Sequence, residues 1–167
     1  VATLNTKVAA GAANRIRNGG FENGLTNWTI GTGSWGVYSD AAGTYAQSSD
    51  AGAYLLSERV PVLPGQVWTG SANFYITAGG GSAGGAYVQL WWYDAADGFL
   101  SPPSGADYKV PPATFGDLDG RNRITGTAPT GAAYCRLCLA NGCTVGPYNF
   151  AIKEAKLKVQ TAIQGDE

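Results

Sequence analysis

Four side chains in the run Tyr87-Val88-Gln89-Leu90-Trp91-Trp92-Tyr93 have the makings of noncovalent recognition chemistry. Tyr87, Gln89, Trp91 and Tyr93 recur every second residue, so an extended strand puts them on one face and Ala86, Val88, Leu90 and Trp92 on the other. Aromatic planes offer apolar surface to a ring, and amides or guanidiniums beside them hydrogen-bond hydroxyls, a pairing that suits sugar rings held in a concave surface. Trp35, Tyr38, Arg59, Tyr134 and Arg136 extend the row if their strands share that sheet. The same spacing serves plain packing under a loop, a neighbouring domain or another subunit, and it does not choose between the two.

Covalent chemistry has little to work with. The chain contains no His, which removes the usual general base and the Ser-His-Asp and Cys-His arrangements. Asp94 and Asp97 sit at a hairpin end, and Asp117 and Asp119 flank glycines in a loop, where Asp commonly serves turn geometry. The Gly-rich stretch 79–85 lacks the Lys-Ser/Thr ending of a phosphate loop. A non-enzymatic module is therefore expected. Cys135, Cys138 and Cys143 cannot make a zinc site without a fourth soft ligand, which leaves buried thiols or a Cys138–Cys143 bridge across a hairpin.

The net charge of −1, with no Lys/Arg run, argues against nucleic-acid partners and anionic membrane surfaces. No apolar stretch approaches the roughly 20 residues that span a bilayer, so membrane insertion is not expected. The chain begins with Val1 and has no Met, which reads as a piece cut from a longer polypeptide or a processed product.

The elements that must position the aromatic row are short strands. Candidates fall at 15–17, 35–39, 53–60, 66–77, 86–94, 122–127, 133–140 and 150–159, separated by Pro64-Gly65, Asp97-Gly98, Pro102-Pro103, Pro111-Pro112 and Asn141-Gly142. Eight such strands predict an all-β, antiparallel jelly-roll β-sandwich. Residues 95–98 read as a hairpin tip and 101–113 as a long surface loop. In the last strand Phe150 and Ile152 fall out of step with Ala155, Leu157 and Val159, and a bulge near Glu154 would restore the inward face. Trp68, Phe74, Ile76 and Trp92 are expected in the core. Val1, Leu4 and Val8 recur at helical spacing, which gives a short N-terminal helical segment over 1–13, the sandwich over 14–160 and a tail over 161–167. Such a stripe packs on a partner helix, and a homotrimer is one association it would serve; three apolar positions do not fix the number.

The start of the sandwich reads R-I-R-N-G-G-F-E-N-G-L-T-N-W. Asn18-Gly19, Phe21-Glu22, Gly24 and Trp28 resemble the opening signature of calcium-containing jelly-roll carbohydrate-binding modules of the xylan- and glucan-binding type. The resemblance continues in Tyr54-Leu55, Pro64-Gly65-Gln66, Trp92-Tyr93-Asp94 and the stretch 128–137, and so covers about 15–159. Similar modules occur in secreted glycoside hydrolases and, more loosely, in phage tail-tip and host-specificity proteins, where a helix often precedes them.

The resemblance implies a non-catalytic module of a virion or extracellular protein that stacks a polysaccharide or cell-surface glycan on Trp91 and Tyr93, supported by Tyr87, Gln89, Trp35 and Arg136. It also implies a structural Ca2+ held by Glu22, by the loop at Asn18, and by Asn149 where the family carries an acidic residue. The alternative is a structural module decorating a phage tail, which contacts other subunits or domains of its parent protein without binding sugar.

Overall fold

A computed structural model describes residues 13–41, 43–76, 85–104, 121–142 and 149–160. They form eleven strands: β1 (Trp28–Thr32), β2 (Gly36–Asp40), β3 (Gly43–Ser48), β4 (Tyr54–Ser57), β5 (Val60–Pro61), β6 (Val67–Ile76), β7 (Ala86–Tyr93), β8 (Phe99–Ser104), β9 (Arg121–Thr127), β10 (Tyr134–Asn141) and β11 (Phe150–Gln160). One sheet runs β1-β4-β10-β7-β8 with β5 also on β10, and the other runs β2-β3-β11-β6-β9. Every pairing is antiparallel. The two sheets make the expected sandwich, and the described residues include no helix. The helical segment expected over 1–13 and the tail over 161–167 lie outside the described residues, Ala13 excepted.

Alternation builds the core. β7 buries Ala86, Val88, Leu90 and Trp92 and leaves Tyr87, Gln89, Trp91 and Tyr93 half-exposed, the division expected of a strand with one wet face. Leu137 and Leu139 of β10 and Leu55 of β4 complete this inner surface. The facing sheet supplies Trp68, Ala72, Phe74, Phe150, Ile152 and Leu157, with Phe74 stacked on Phe150 at 5.4 Å between ring centroids. In β11 Lys153 pairs with Asn73 but Lys156 pairs with Ser71, so one extra residue is accommodated where Glu154 has φ 54°. That bulge carries the inward face from Ile152 to Ala155 and Leu157, as the broken alternation requires.

Three strands were not anticipated. β1 has a single buried anchor, Trp28, followed by four exposed residues, and therefore no period-two signal. β3 is short and begins at a glycine. β8 runs through Pro102 and Pro103, tolerable because it is the outer strand of its sheet, where one side needs no ladder partner. The first part of the expected 101–113 loop is thus strand, and the rest lies outside the described residues. Conversely, 15–17 is not a strand, although the Arg15 N–H donates to the Leu157 carbonyl at 2.8 Å and tethers the segment to β11.

Close sheet packing requires Gly70 on β6. A Cβ there would lie 2.5 Å from Leu137 Cδ1 and 3.0 Å from Leu90 Cδ2, both inward-facing side chains of the other sheet. Gly70→Ala is expected to destabilise the fold by about 1–3 kcal/mol through overpacking, measured as a lower urea midpoint at unchanged slope. An unchanged midpoint would mean that the sheets are not held this close.

Candidate functional site

The outward face of the β1-β4-β10-β7-β8 sheet collects the predicted row and adds to it. Antiparallel register sets Tyr134 beside Tyr93, Arg136 beside Trp91, Cys138 beside Gln89 and Ala140 beside Tyr87. On the other side of β10, Leu56 pairs with Cys138 and Tyr54 with Ala140. The small side chains of Cys138 and Ala140 let Tyr54, Tyr87 and Trp91 close over them, so Leu56, Cys138 and Ala140 form a buried apolar patch beneath a half-exposed aromatic layer. Trp91 meets Tyr54 at 5.8 Å and Phe99 at 5.5 Å, and Phe99 meets Tyr93 at 5.7 Å. The result is a continuous aromatic chain, Tyr54–Trp91–Phe99–Tyr93, across four strands.

Polar groups fix its geometry. The Trp91 indole N–H donates to Gln89 Oε1 at 3.0 Å, which orients the ring and leaves the Gln89 amide N–H groups turned to other uses. Arg136 reaches across β4: its Nε donates to the Ser57 carbonyl at 2.7 Å and a terminal nitrogen donates to Thr29 Oγ1 at 2.8 Å. The same guanidinium lies beside the Tyr93 hydroxyl. Burial raises the Tyr93 phenol above its usual range, and Arg136 partly offsets this. Arg136 is thus a brace that spans β10, β4 and β1, with its remaining N–H groups available to a ligand. Asp94 closes the β7–β8 hairpin by accepting from Ala96 at 2.9 Å and Gly98 at 2.7 Å, and Asp97 is ion-paired to Arg59. Both carboxylates of this hairpin therefore serve structure, as their turn positions suggest.

Trp35 does not belong to this face. It precedes β2 in the other sheet, packs edge-on against Phe150 with centroids 6.1 Å apart, and donates its N–H to the Thr32 carbonyl. Tyr38 likewise sits on the opposite sheet, beside Tyr45. Burial raises the Tyr45 phenol to about 12, with hydrogen bonds to Tyr75 and Asp40 adding to the rise. Their strands carry a β signal, but sheet membership is a long-range property that local spacing does not encode. Tyr54 and Phe99 were missed. Tyr54 was legible as the residue two before Leu56, and Phe99 as the residue that a turn at 94–98 must set against Tyr93.

The three residues assigned to calcium do not converge. Asn18 spends its side chain closing its own loop, donating to the Gly24 and Thr26 carbonyls at 3.0 and 2.8 Å and accepting from the Asn23 N–H at 3.0 Å. Its carbonyl accepts from Phe21 and from the Trp28 indole, and the Gly19 carbonyl accepts from Ala155. Glu22 stands exposed on this loop. The loop docks on β11 at Ala155, whereas Asn149 precedes the head of that strand, roughly 20 Å away at about 3.3 Å per residue. Among the described residues no three acidic, His or Cys side chains gather as a metal site. This donor set does not fit the implied ion. Cys135 and Cys138 are buried free thiols, with Cys138 raised to about 12 by burial; Cys143 lies outside the described residues.

No family model matches the sequence, and no curated protein matches it. Solved structures do. A family 16 carbohydrate-binding module matches with TM-score 0.58 at 18% identity over 86% of this chain and 99% of its own. The C-terminal family 22 carbohydrate-binding module of Clostridium thermocellum Xyn10B matches with TM-score 0.62 at 16% identity, over 91% of this chain and 95% of its own.

The chain has the jelly-roll fold of carbohydrate-binding modules. The enzymatically active domain of tailspike protein 4 from bacteriophage CBA120 contains the same fold, with TM-score 0.63 at 14% identity; this jelly roll spans 21% of that chain. Among the described residues no helix is long and apolar enough to cross a membrane.

Two outcomes test the site's construction. Gly31, in the bulge of β1 opposite Tyr54, has no room for a side chain because a Cβ would overlap the Tyr54 ring. Gly31→Ala is expected to push Tyr54 off Trp91, lowering stability by about 1–3 kcal/mol and altering the near-ultraviolet dichroism. A parent-like spectrum and midpoint would contradict that contact. The closed Asn18 loop predicts the same thermal midpoint in chelator and in millimolar calcium, and a rise of several degrees with calcium would show that the ion is bound after all.

Proposed function

We propose that this jelly roll is a non-catalytic glycan-binding module that receives a polysaccharide or cell-surface glycan on the outward face of β7 and its neighbours. Trp91 and Tyr93 are the stacking residues. Tyr87 flanks them, the Gln89 amide and the remaining Arg136 N–H groups bond hydroxyls, and Tyr54 and Phe99 complete the platform. The observation that carries the reading is the state of the row: Tyr87, Gln89, Trp91 and Tyr93 all remain half-exposed, although an apolar patch lies directly beneath them.

A tilted contact with Tyr54 and an edge contact with Phe99 hold the Trp91 ring. A ring held by its neighbours loses little side-chain freedom when a ligand stacks on it, so more of the contact energy appears as affinity. Solved structures with this fold that are named for carbohydrate binding support the reading. We further propose that the module belongs to a virion or extracellular protein. The tailspike likeness supports the virion setting, and the likeness to carbohydrate-binding modules supports the extracellular one.

Glycan arrays and affinity gels with soluble polysaccharides test the assignment. Trp91→Ala is expected to keep the fold by far-ultraviolet dichroism and to weaken the best ligand roughly thirtyfold, about 2 kcal/mol, the size typical of a central aromatic anchor. If no glycan is retained by the parent chain while Trp91 is found under another subunit of the assembled parent protein, the module is structural.

A further inference from the structure

The outward face of the β2-β3-β11-β6-β9 sheet carries a charge pattern that the linear sequence hides. In β11 Lys153 is odd-numbered where Lys156 and Lys158 are even, so an unbroken strand would send it to the opposite side. The bulge at Glu154 removes that mismatch: Lys153 pairs with Asn73, Lys156 with Ser71 and Lys158 with Thr69, while Leu157 pairs with the inward-facing Gly70. All three lysines therefore stand on one outward face, their partners on β6 spaced about 7 Å apart along that strand. On the far side of β6, Arg123 pairs with the same Ser71 that pairs with Lys156, which sets two cations across one serine at roughly 10 Å.

Charge here is one-sided. Four of the chain's eleven Lys and Arg residues occupy this patch, although the chain as a whole has net charge −1. Strands β6, β9 and β11 contain a single carboxylate, Glu154, which accepts from the Asn73 amide at 3.0 Å. Lys156 and Lys158 have no carboxylate partner among the described residues. Neighbouring lysines lie within the roughly 8 Å over which physiological salt screens charge, so their fields add. Between the cations the face is hydroxylic: Thr69 and Thr125 share a hydrogen bond at 3.1 Å, and Gln160 donates to Thr69 at 3.4 Å. No outward position of the patch is aromatic or aliphatic.

We propose that this basic face is a second interaction surface, on the opposite side of the sandwich from the aromatic row, and that its partner is an acidic polysaccharide. A solvent-exposed ion pair contributes little by itself, so a single small anion gains too little here to be retained. A chain with a negative group on successive sugar units engages several cations at once and releases the counterions of each contact. Its hydroxyls meet the Thr and Gln side chains that lie between the cations. Single-stranded nucleic acid brings charge as well, but its bases call for stacking rings that this patch lacks, and a bilayer surface calls for apolar anchors that are equally missing. No residue of the aromatic face takes part, so the basic face acts whether or not the other binds sugar.

Affinity electrophoresis and calorimetric titration of the whole chain test this, with polygalacturonate as the probe and dextran as the neutral control. Polygalacturonate is expected to bind at low salt, and monomeric galacturonate and dextran are not. The log of its affinity should fall with log salt at a slope of about −2 to −3, the value for three or four contacts on a single-stranded polyanion. That slope is read on the parent chain and needs no variant. Lys156→Gln combined with Lys158→Gln should keep the far-ultraviolet spectrum, weaken binding about tenfold or more and flatten the slope by about 1.4. Lys156→Arg combined with Lys158→Arg keeps the charge and should keep both affinity and slope. The proposal is overturned if polygalacturonate is not bound at low salt, if dextran is bound as tightly, or if the glutamine pair binds like the parent. It is equally overturned if the arginine pair loses as much as the glutamine pair, or if duplex DNA or phosphatidylglycerol vesicles bind more tightly than polygalacturonate.

Discussion

The whole arrangement depends on the two-sidedness of β7. Once Ala86, Val88, Leu90 and Trp92 are committed to the facing sheet, the pleat leaves Tyr87, Gln89, Trp91 and Tyr93 nowhere to go but outward. A one-residue slip in register would expose four core side chains and bury a glutamine. The cost of that slip specifies the aromatic face as firmly as it specifies the core. β10 answers the same demand with smaller residues: Cys138 and Ala140, outward yet buried, are the low ground over which the rings of β4 and β7 meet. A platform of large rings needs such low ground, because bulky neighbours on the central strand would prop the rings apart and open them to water on both faces.

What could be read from the residues divides along a physical line. Period-two alternation on β7, the compensating bulge at Glu154 and the Asp94 turn are local, and each was legible because a few consecutive residues must solve the problem among themselves. β1, β3 and β8 were not legible. Trp28 is the one buried anchor of β1, and prolines lie within β8, the outer strand of its sheet among the described residues. Sheet partnership was beyond local reasoning too. Trp35 and Trp91 are both aromatics that local spacing assigns to a strand, yet one closes the core against Phe150 and the other lies on the opposite surface.

The loop around Asn18 shows how a shared motif can do a different job. Its Asn, Gly, Phe, Glu and Trp occupy the positions that the resemblance implies, and Phe21 and Trp28 stack at 5.1 Å to seat the loop on the core. The loop's amide oxygens are engaged within the protein: the Asn18 carbonyl by two N–H donors, the Gly19 carbonyl by Ala155, and the Asn18 side chain by Asn23. Positive φ at Asn18 and Phe21 is held by these bonds and by the burial of the Phe21 ring. Hydrogen bonds and packing here supply the closure that a divalent ion would otherwise supply, so the motif specifies the shape of the loop more directly than it specifies a metal.

One ion pair steadies the outer end of the aromatic row. Arg59, between β4 and β5, is bound to Asp97 at the tip of the hairpin that carries Tyr93 and Phe99. Asp97 adopts φ 71°, a left-handed turn conformation that presents its carboxylate outward to that arginine. Both side chains are about half exposed, so the pair contributes little to global stability. Its consequence is placement: it holds the hairpin tip, and with it the end of the aromatic row at Tyr93 and Phe99, against the segment between β4 and β5.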